Sequence, residues 1–351
     1  MTRPSVAPLD IDTDEIAPSI VAAIRDRDAI MTTIEAPDGI LNRRDRSAIS
    51  SSYLHAAQRR HFLLFDVLPA ALTLAAIALL FVHPLSKTDV VLFLLMWLAT
   101  GLGITVGFHR LFSHRAFTAG PAVSVALLIL GSMAGRGPMI SWVAMHRRHH
   151  ECSDREGDLH SPNMHGASPM QRLRGWLHAH WTWMMQHDYP NVARYTPDLL
   201  CDPVLVRANR HYYVWVALGL LFPAVLGGVF TESLIGILTG FLWGGVVRMF
   251  VVEQSMSAIN SFTHLLGSRP FHMPDDNSRN SSLLGLLVWG EGWHNNNHAF
   301  PSSAAFGLKW REIDFGYWLI RLLEKLGLAW DVKSPSTAHI ARRRERLQSP
   351  D

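Results

Sequence analysis

The chain has 351 residues, 48% hydrophobic and only 17% charged, against about 25% charged in ordinary soluble domains, so part of it is built to avoid water. Its 32 Lys and Arg against 29 Asp and Glu leave a net charge of +3, too small a basic excess to point to nucleic acid. Two cysteines, Cys152 and Cys201, exclude a disulfide framework or a thiolate zinc site, whereas 19 histidines beside 12 tryptophans point to imidazole metal ligands and a membrane-interface belt.

Residues 1–58 are polar, rich in Asp, Ser, Thr and Pro, and without a sustained apolar period, which predicts a disordered or loosely docked tail. Stretches 62–82 and 90–108 follow, joined by HPLSKTD; each approaches the length of about 20 apolar residues that crosses a bilayer as a helix. Stretches 213–230 and 234–252, with FTES between their cores, repeat the pattern, so two hairpins and four crossings are expected. The apolar stretch 122–134 is too short to span and is expected to lie in the interface or to dip in and return. Lys87 is the one basic residue in the two tight turns, while Arg59, Arg60, Arg110, Arg115, Arg147, Arg148, Arg207 and Arg210 flank the opposite ends. Those ends therefore face the cytoplasm, with both termini, in a bacterial inner membrane or an ER-type membrane. The expected fold is an all-α integral membrane protein: a domain over 59–333 whose cap, 109–212 and 253–333, lies on the cytoplasmic side, then a basic tail, 334–351.

Histidines cluster where the chain meets that cap. His109 and His114 lie in HRLFSH, directly after the second span. Five residues apart they are rotated by about 140° on an α-helix, so they reach a common centre only if the helix ends or bends between them. In HRRHH, His146 and His150 share a face while His149 is turned away, a spacing that feeds two neighbouring metals from one helix. HNNNH contributes His294 and His298, and NSFTH contributes His264 with Asn260 one turn before it. The topology, drawn from hydropathy and arginines alone, puts all four groups on one side. Eight imidazoles exceed the four ligands of a zinc site, so two metals are the economical answer, and imidazole alone does not choose among iron, copper, zinc and nickel. A single Glu-x-x-His pair, Glu291 with His294, argues against a ferritin-like carboxylate site; Glu291 is read as orienting an imidazole.

The strings GITVGFHRLFSHRAF (103–117), HRRHHECSDREGDLHSP (146–162), NSFTHLLGSRPF (260–271) and GEGWHNNNHAFPSSAAFGLKWREIDFGYWLIRLLEKLGLAWDVK (290–333), in this order, resemble the membrane fatty acid desaturases of the delta-9, stearoyl-CoA type. The resemblance implies a di-iron centre with His109, His114, His146, His149, His150, His264, His294 and His298 as ligands and Asn260 holding a water on one iron. One position departs from the family pattern: Asn297 stands where the third box has histidine, and an amide is the weaker ligand.

The implied activity is oxygen-dependent insertion of a cis double bond, expected at the delta-9 position, into a saturated acyl chain carried as acyl-CoA or acyl-lipid. Unactivated methylenes are too weakly acidic for any side-chain base, so an iron-oxygen oxidant with outside electrons is needed, and the resemblance implies that two iron ions and dioxygen supply it. No fused electron carrier is recognisable, so a separate ferredoxin or small b-type cytochrome is the expected donor, with membrane lipid as the surroundings. Phe93 and Trp97, one turn apart in the second span, are candidates for the closed end of an acyl tunnel, and Arg172, Arg174, Arg207 and Arg210 for a phosphate-bearing head group. A hydroxylase of the same iron class is the enzyme alternative. A metal or haem transporter is remote, because it would place ionisable groups along a path at mid-membrane.

Overall fold

A computed structural model describes residues 47–185 and 187–348. Four helices are long and apolar enough to cross a membrane: α1, Ser52–Leu79; α2, Lys87–Ser113; α7, Tyr212–Thr231; and α8, Leu234–Phe262. Between and after them run α3 (Pro121–Ser132), α4 (Met139–Cys152), α5 (Pro169–His180), α6 (Pro203–Arg210), α9 (Ser282–Leu287), α10 (His294–Ala299), α11 (Phe315–Lys325) and α12 (Thr337–Gln348). Two-residue antiparallel pairings, Ala48–Ile49 with Tyr189–Pro190 and Thr118–Ala119 with Ala329–Trp330, tie the loops together.

The hairpin turns carry ordinary start signals. Ser86 and Asp89 form a reciprocal capping box at the start of α2 (3.1 and 3.0 Å), satisfying two amides that a helix end leaves open. Glu232 takes the left-handed conformation (φ 49°) between α7 and α8, and Ser233 caps α8 by accepting from the Gly236 amide. Outward along these helices Leu74, Ile77, Leu94, Leu95, Leu221, Val225 and Val229 are exposed. An apolar surface of that extent belongs against hydrocarbon.

The helices outrun the hydropathy. Of the tail read over 1–58, residues 1–46 lie outside the described residues, and α1 already begins at Ser52. Helix α2 continues to Ser113 and α8 to Phe262, so His109 and Asn260 ride on rigid extensions of spans. Helix α3 is seated against α2: a Cβ on Gly103 would fall 2.2 Å from the Gly131 backbone nitrogen, so glycine is what permits the approach. Leu127 and Leu128 are buried there. Helix α12, within the basic tail, lays Ile340 and Leu347 against the cluster of Phe271, Met273, Ala299 and Phe300.

Candidate metal centre

Helix α2 ends in a wide π-helical stretch, Gly103–Ser113, and His114 closes it by donating its amide to the His109 carbonyl five residues back (3.1 Å). The helix ends at Ser113, between the two histidines, and its wider winding swings His114 toward the face of His109, their ring centroids 4.8 Å apart. Helix α4 is clamped to the same end by Arg147, which donates to the Phe112 and Ser113 carbonyls at 2.7 and 3.0 Å. The clamp fixes HRRHH against HRLFSH. Helix α10 is locked by its own asparagines: Asn295 exchanges bonds with the Phe271 backbone (2.9 Å each way), and Asn296 donates to the Phe306 carbonyl and Glu312.

These supports gather the eight histidines into two sets. One is His109, His114, His146 and His150; the other is His149, His264, His294 and His298; within each, the ligand nitrogens lie within 4.8 Å of one another. His114 Nε2 faces His146 Nε2 at 3.0 Å, and His264 Nε2 faces His294 Nε2 at 3.0 Å. Buried Nε2 atoms of His149 and His298 have no hydrogen-bond partner. Converging lone pairs and unpartnered ring nitrogens are costly to bury unless a cation lies between them. The donor set is all imidazole, which fits a borderline transition metal.

Carboxylates take the far nitrogens. Glu291 meets His109 Nδ1 at 2.5 Å, Asp158 meets His149 Nδ1 at 2.9 Å, Asp154 meets His264 Nδ1 at 2.9 Å and Asp276 meets His298 Nδ1 at 2.7 Å. Each pair fixes the tautomer that leaves Nε2 free to bind metal. Thr105 donates to the other oxygen of Glu291. Burial opposes ionisation of Asp154 and Asp158, but the paired imidazoles hold both well below the ordinary carboxylate range. Burial, then the neighbouring rings, pushes His114, His146, His150, His294 and His298 well below 6.5. Neutral imidazole is the form that binds metal.

Residues 88–333 match the fatty acid desaturase family. The chain is 50% identical over 294 residues to a hex-5-enoyl-[acyl-carrier protein] acetylenase of Moorena producens (strain JHB), covering 83% of this chain and 91% of that protein. It is 37% identical over 243 residues to an sn-1 stearoyl-lipid 9-desaturase of Anabaena variabilis, covering 68% and 82%. To an icosanoyl-CoA 5-desaturase of Limnanthes douglasii it is 34% identical over 251 residues, covering 70% and 65%. The chain belongs to the fatty acid desaturase family.

In this desaturase Asn297 enters the first imidazole set: its amide nitrogen lies 3.3 Å from His109 Nε2 and 3.4 Å from His150 Nε2, and its buried Oδ1 has no partner. Asn260 lines a cavity with His146, His149 and Glu291. Phe93 and Trp97 part company: Phe93 packs near Ala76 and Leu242, while Trp97 meets Trp289 at 4.8 Å. Neither borders the cavity at the histidines. The sequence reading missed Asp154, Asp158 and Asp276, and left His160 unassigned. His160 lies 4.3 Å from the His149 ring and lines the same cavity. The acidic residues of HRRHHECSDREGDLH were the available signal.

Proposed function

We propose that this desaturase removes two hydrogens from neighbouring carbons of an acyl chain, and that the eight histidines hold two irons for the purpose. The pair of four-imidazole sets, each with carboxylate-ordered rings, carries the reading. Iron, when bound, would supply oxidation of an unactivated C–H bond, with dioxygen reduced to two waters by the two substrate hydrogens, two outside electrons and two protons from solvent. The protein's part is placement. Glu291, Asp158, Asp154 and Asp276 orient rings, Asn260 stands where it can hold a water, and burial of the centre keeps bulk water away. The histidine end faces the cytoplasm, where a ferredoxin or small b-type cytochrome docks. The saturated substrate and delta-9 position stand as the first reading; the 50% identity to an acetylenase favours a second, in which the substrate already has a double bond and leaves as an alkyne.

Expression in a host lacking its own desaturase, with a matched ferredoxin and reductase, and double-bond mapping of total acyl chains by mass spectrometry test this directly. New unsaturated chains that vanish in His149→Ala are expected, and the bond order and position choose between the two readings. Hydroxylated chains would move the protein to the hydroxylase alternative, and unaltered chains in cells whose protein holds two irons would contradict the proposal.

A further inference from the structure

Three of the twelve tryptophans stand clear of the metal centre: Trp310, Trp318 and Trp330, which are 86%, 56% and 45% exposed. Trp318 lies on α11, with Trp310 before that helix and Trp330 after it. The inner side of α11 is tight. Ile320 is fully buried, and a Cβ on Gly316 would collide with the Arg110 guanidinium. Its outer side is a stripe at four-residue spacing, Trp318, Leu322 and, at the cap, Leu326, each more than half exposed. Large apolar groups massed in this way call for a partner that is not water.

What the start of α11 touches fixes its depth. The Gly316 amide donates to the Trp289 carbonyl (3.0 Å), and Phe315 packs on the cluster that holds Ile104, Trp97 and Trp289. Trp289 lies on α2 at Gly101, where a Cβ would collide with its ring. Gly101 and Ile104 belong to the apolar run 90–108 of a span, about one to two turns inside its histidine end. Helix α9 stands at the same level: it packs on α8, Leu284 joins that cluster, and Leu283, Leu286 and Leu287 are exposed. The outer faces of α9 and α11 thus continue the hydrocarbon-facing surface of the spans. Arg321 and Lys325 each precede a leucine of the stripe, and Arg311 stacks 4.8 Å from the Trp310 ring. Long basic side chains beside tryptophan suit the level of lipid phosphates.

We propose that the outer face of α11, with its flanking tryptophans, is a membrane-binding surface seated in the cytoplasmic leaflet, so that part of the segment 253–333 lies in lipid and the spans are not the only anchor. Acyl chains cover Trp318, Leu322 and Leu326, and headgroups meet Arg311, Arg321 and Lys325. This goes beyond the reaction and does not depend on it. The anchor is wired to the histidines: Asp314 pairs with Arg110 next to His109, and the Ile313 carbonyl and Glu312 accept from Trp293 and Asn296, on either side of His294.

The test uses the full-length protein with Cys201→Ser, which removes the exposed thiol and leaves half-buried Cys152. Nitroxide labels at Trp318→Cys, Leu322→Cys and Leu326→Cys are compared, in phospholipid vesicles, with labels at Leu95→Cys on a span and at exposed Glu156→Cys. Collision with oxygen against collision with a nickel chelate is expected to place the three labels about 5–10 Å below the phosphates, with Leu95→Cys deeper and Glu156→Cys in water. A ratio equal to that of Glu156→Cys would overturn the proposal. Labels shielded from both reagents would overturn it too, because a protein surface and not lipid would then cover the face. Should the labelled variants not fold, hydroxyl-radical footprinting of the unaltered protein, one chain per lipid nanodisc, decides: Trp318 is expected to be spared as fully as buried Trp183 and Trp289, and oxidation in keeping with its exposure would overturn the proposal.

Discussion

Asn297 sits among four imidazoles with its amide nitrogen toward two of their nitrogens and its oxygen unsatisfied. Which end of an amide points inward follows from its bonding partners, so with a cation present the oxygen would turn in as a weak ligand. Asn297→His is expected to bind the first metal more tightly, read as slower iron loss to a chelator from one of two kinetic classes; equal loss in both proteins would show that Asn297 does not face a metal. Asp154 works at one remove, ordering His264 while accepting from Ser161, Asn163 and the Asn277 amide. Asp154→Asn is expected to weaken the second metal by about 10–100-fold and spare the first, measured by the same chelator competition. His146 with His150 and His294 with His298 were legible from helical spacing, and His109, His114 and His264 from their place just past the cytoplasmic end of a span. Asp154 and Asp158 were not, because a carboxylate is assigned to a ring only once the chain has folded, and Asp276, from another segment, carries no spacing signal at all.

At the level of elements, the four spans were plain from hydropathy, but the lengths of the helices were not. Polar residues such as those from Ser52 to His61 continue a helix past the apolar run that announces it. The π winding of α2 was invisible for a related reason: an i to i+5 ladder has no residue signature of its own, yet it is what aligns His109 with His114. The winding is anchored by Arg110, fully buried, which pairs with Asp314 at the start of α11 (2.8 Å) and stacks 4.0 Å over the Phe306 ring. Asp314 also accepts from the Phe306, Gly307 and Tyr317 amides. Asp314→Leu strands a buried guanidinium and is expected to cost about 3–5 kcal/mol, seen as a lower midpoint in detergent-solubilised thermal unfolding with the far-UV helix signal intact beforehand. A variant as stable as the parent would mean that the pair does not hold α11 to α2.

On the scale of the whole molecule, hydrophobic helices and a polar centre solve one problem between them. Lipid-facing residues such as Leu95 and Val225 place the helices, while eight imidazoles gather at the capped end in two sets, each of which could hold a cation. Buried imidazoles in such number are affordable only if metal satisfies them. Iron content therefore bears most directly on the central claim. The purified protein, reconstituted with ferrous iron, is analysed by elemental analysis and by iron anomalous scattering from crystals. Two irons per chain are expected, one within His109, His114, His146 and His150 and one within His149, His264, His294 and His298. A single iron, none, or density confined to His149, Asp158 and His160 would contradict it.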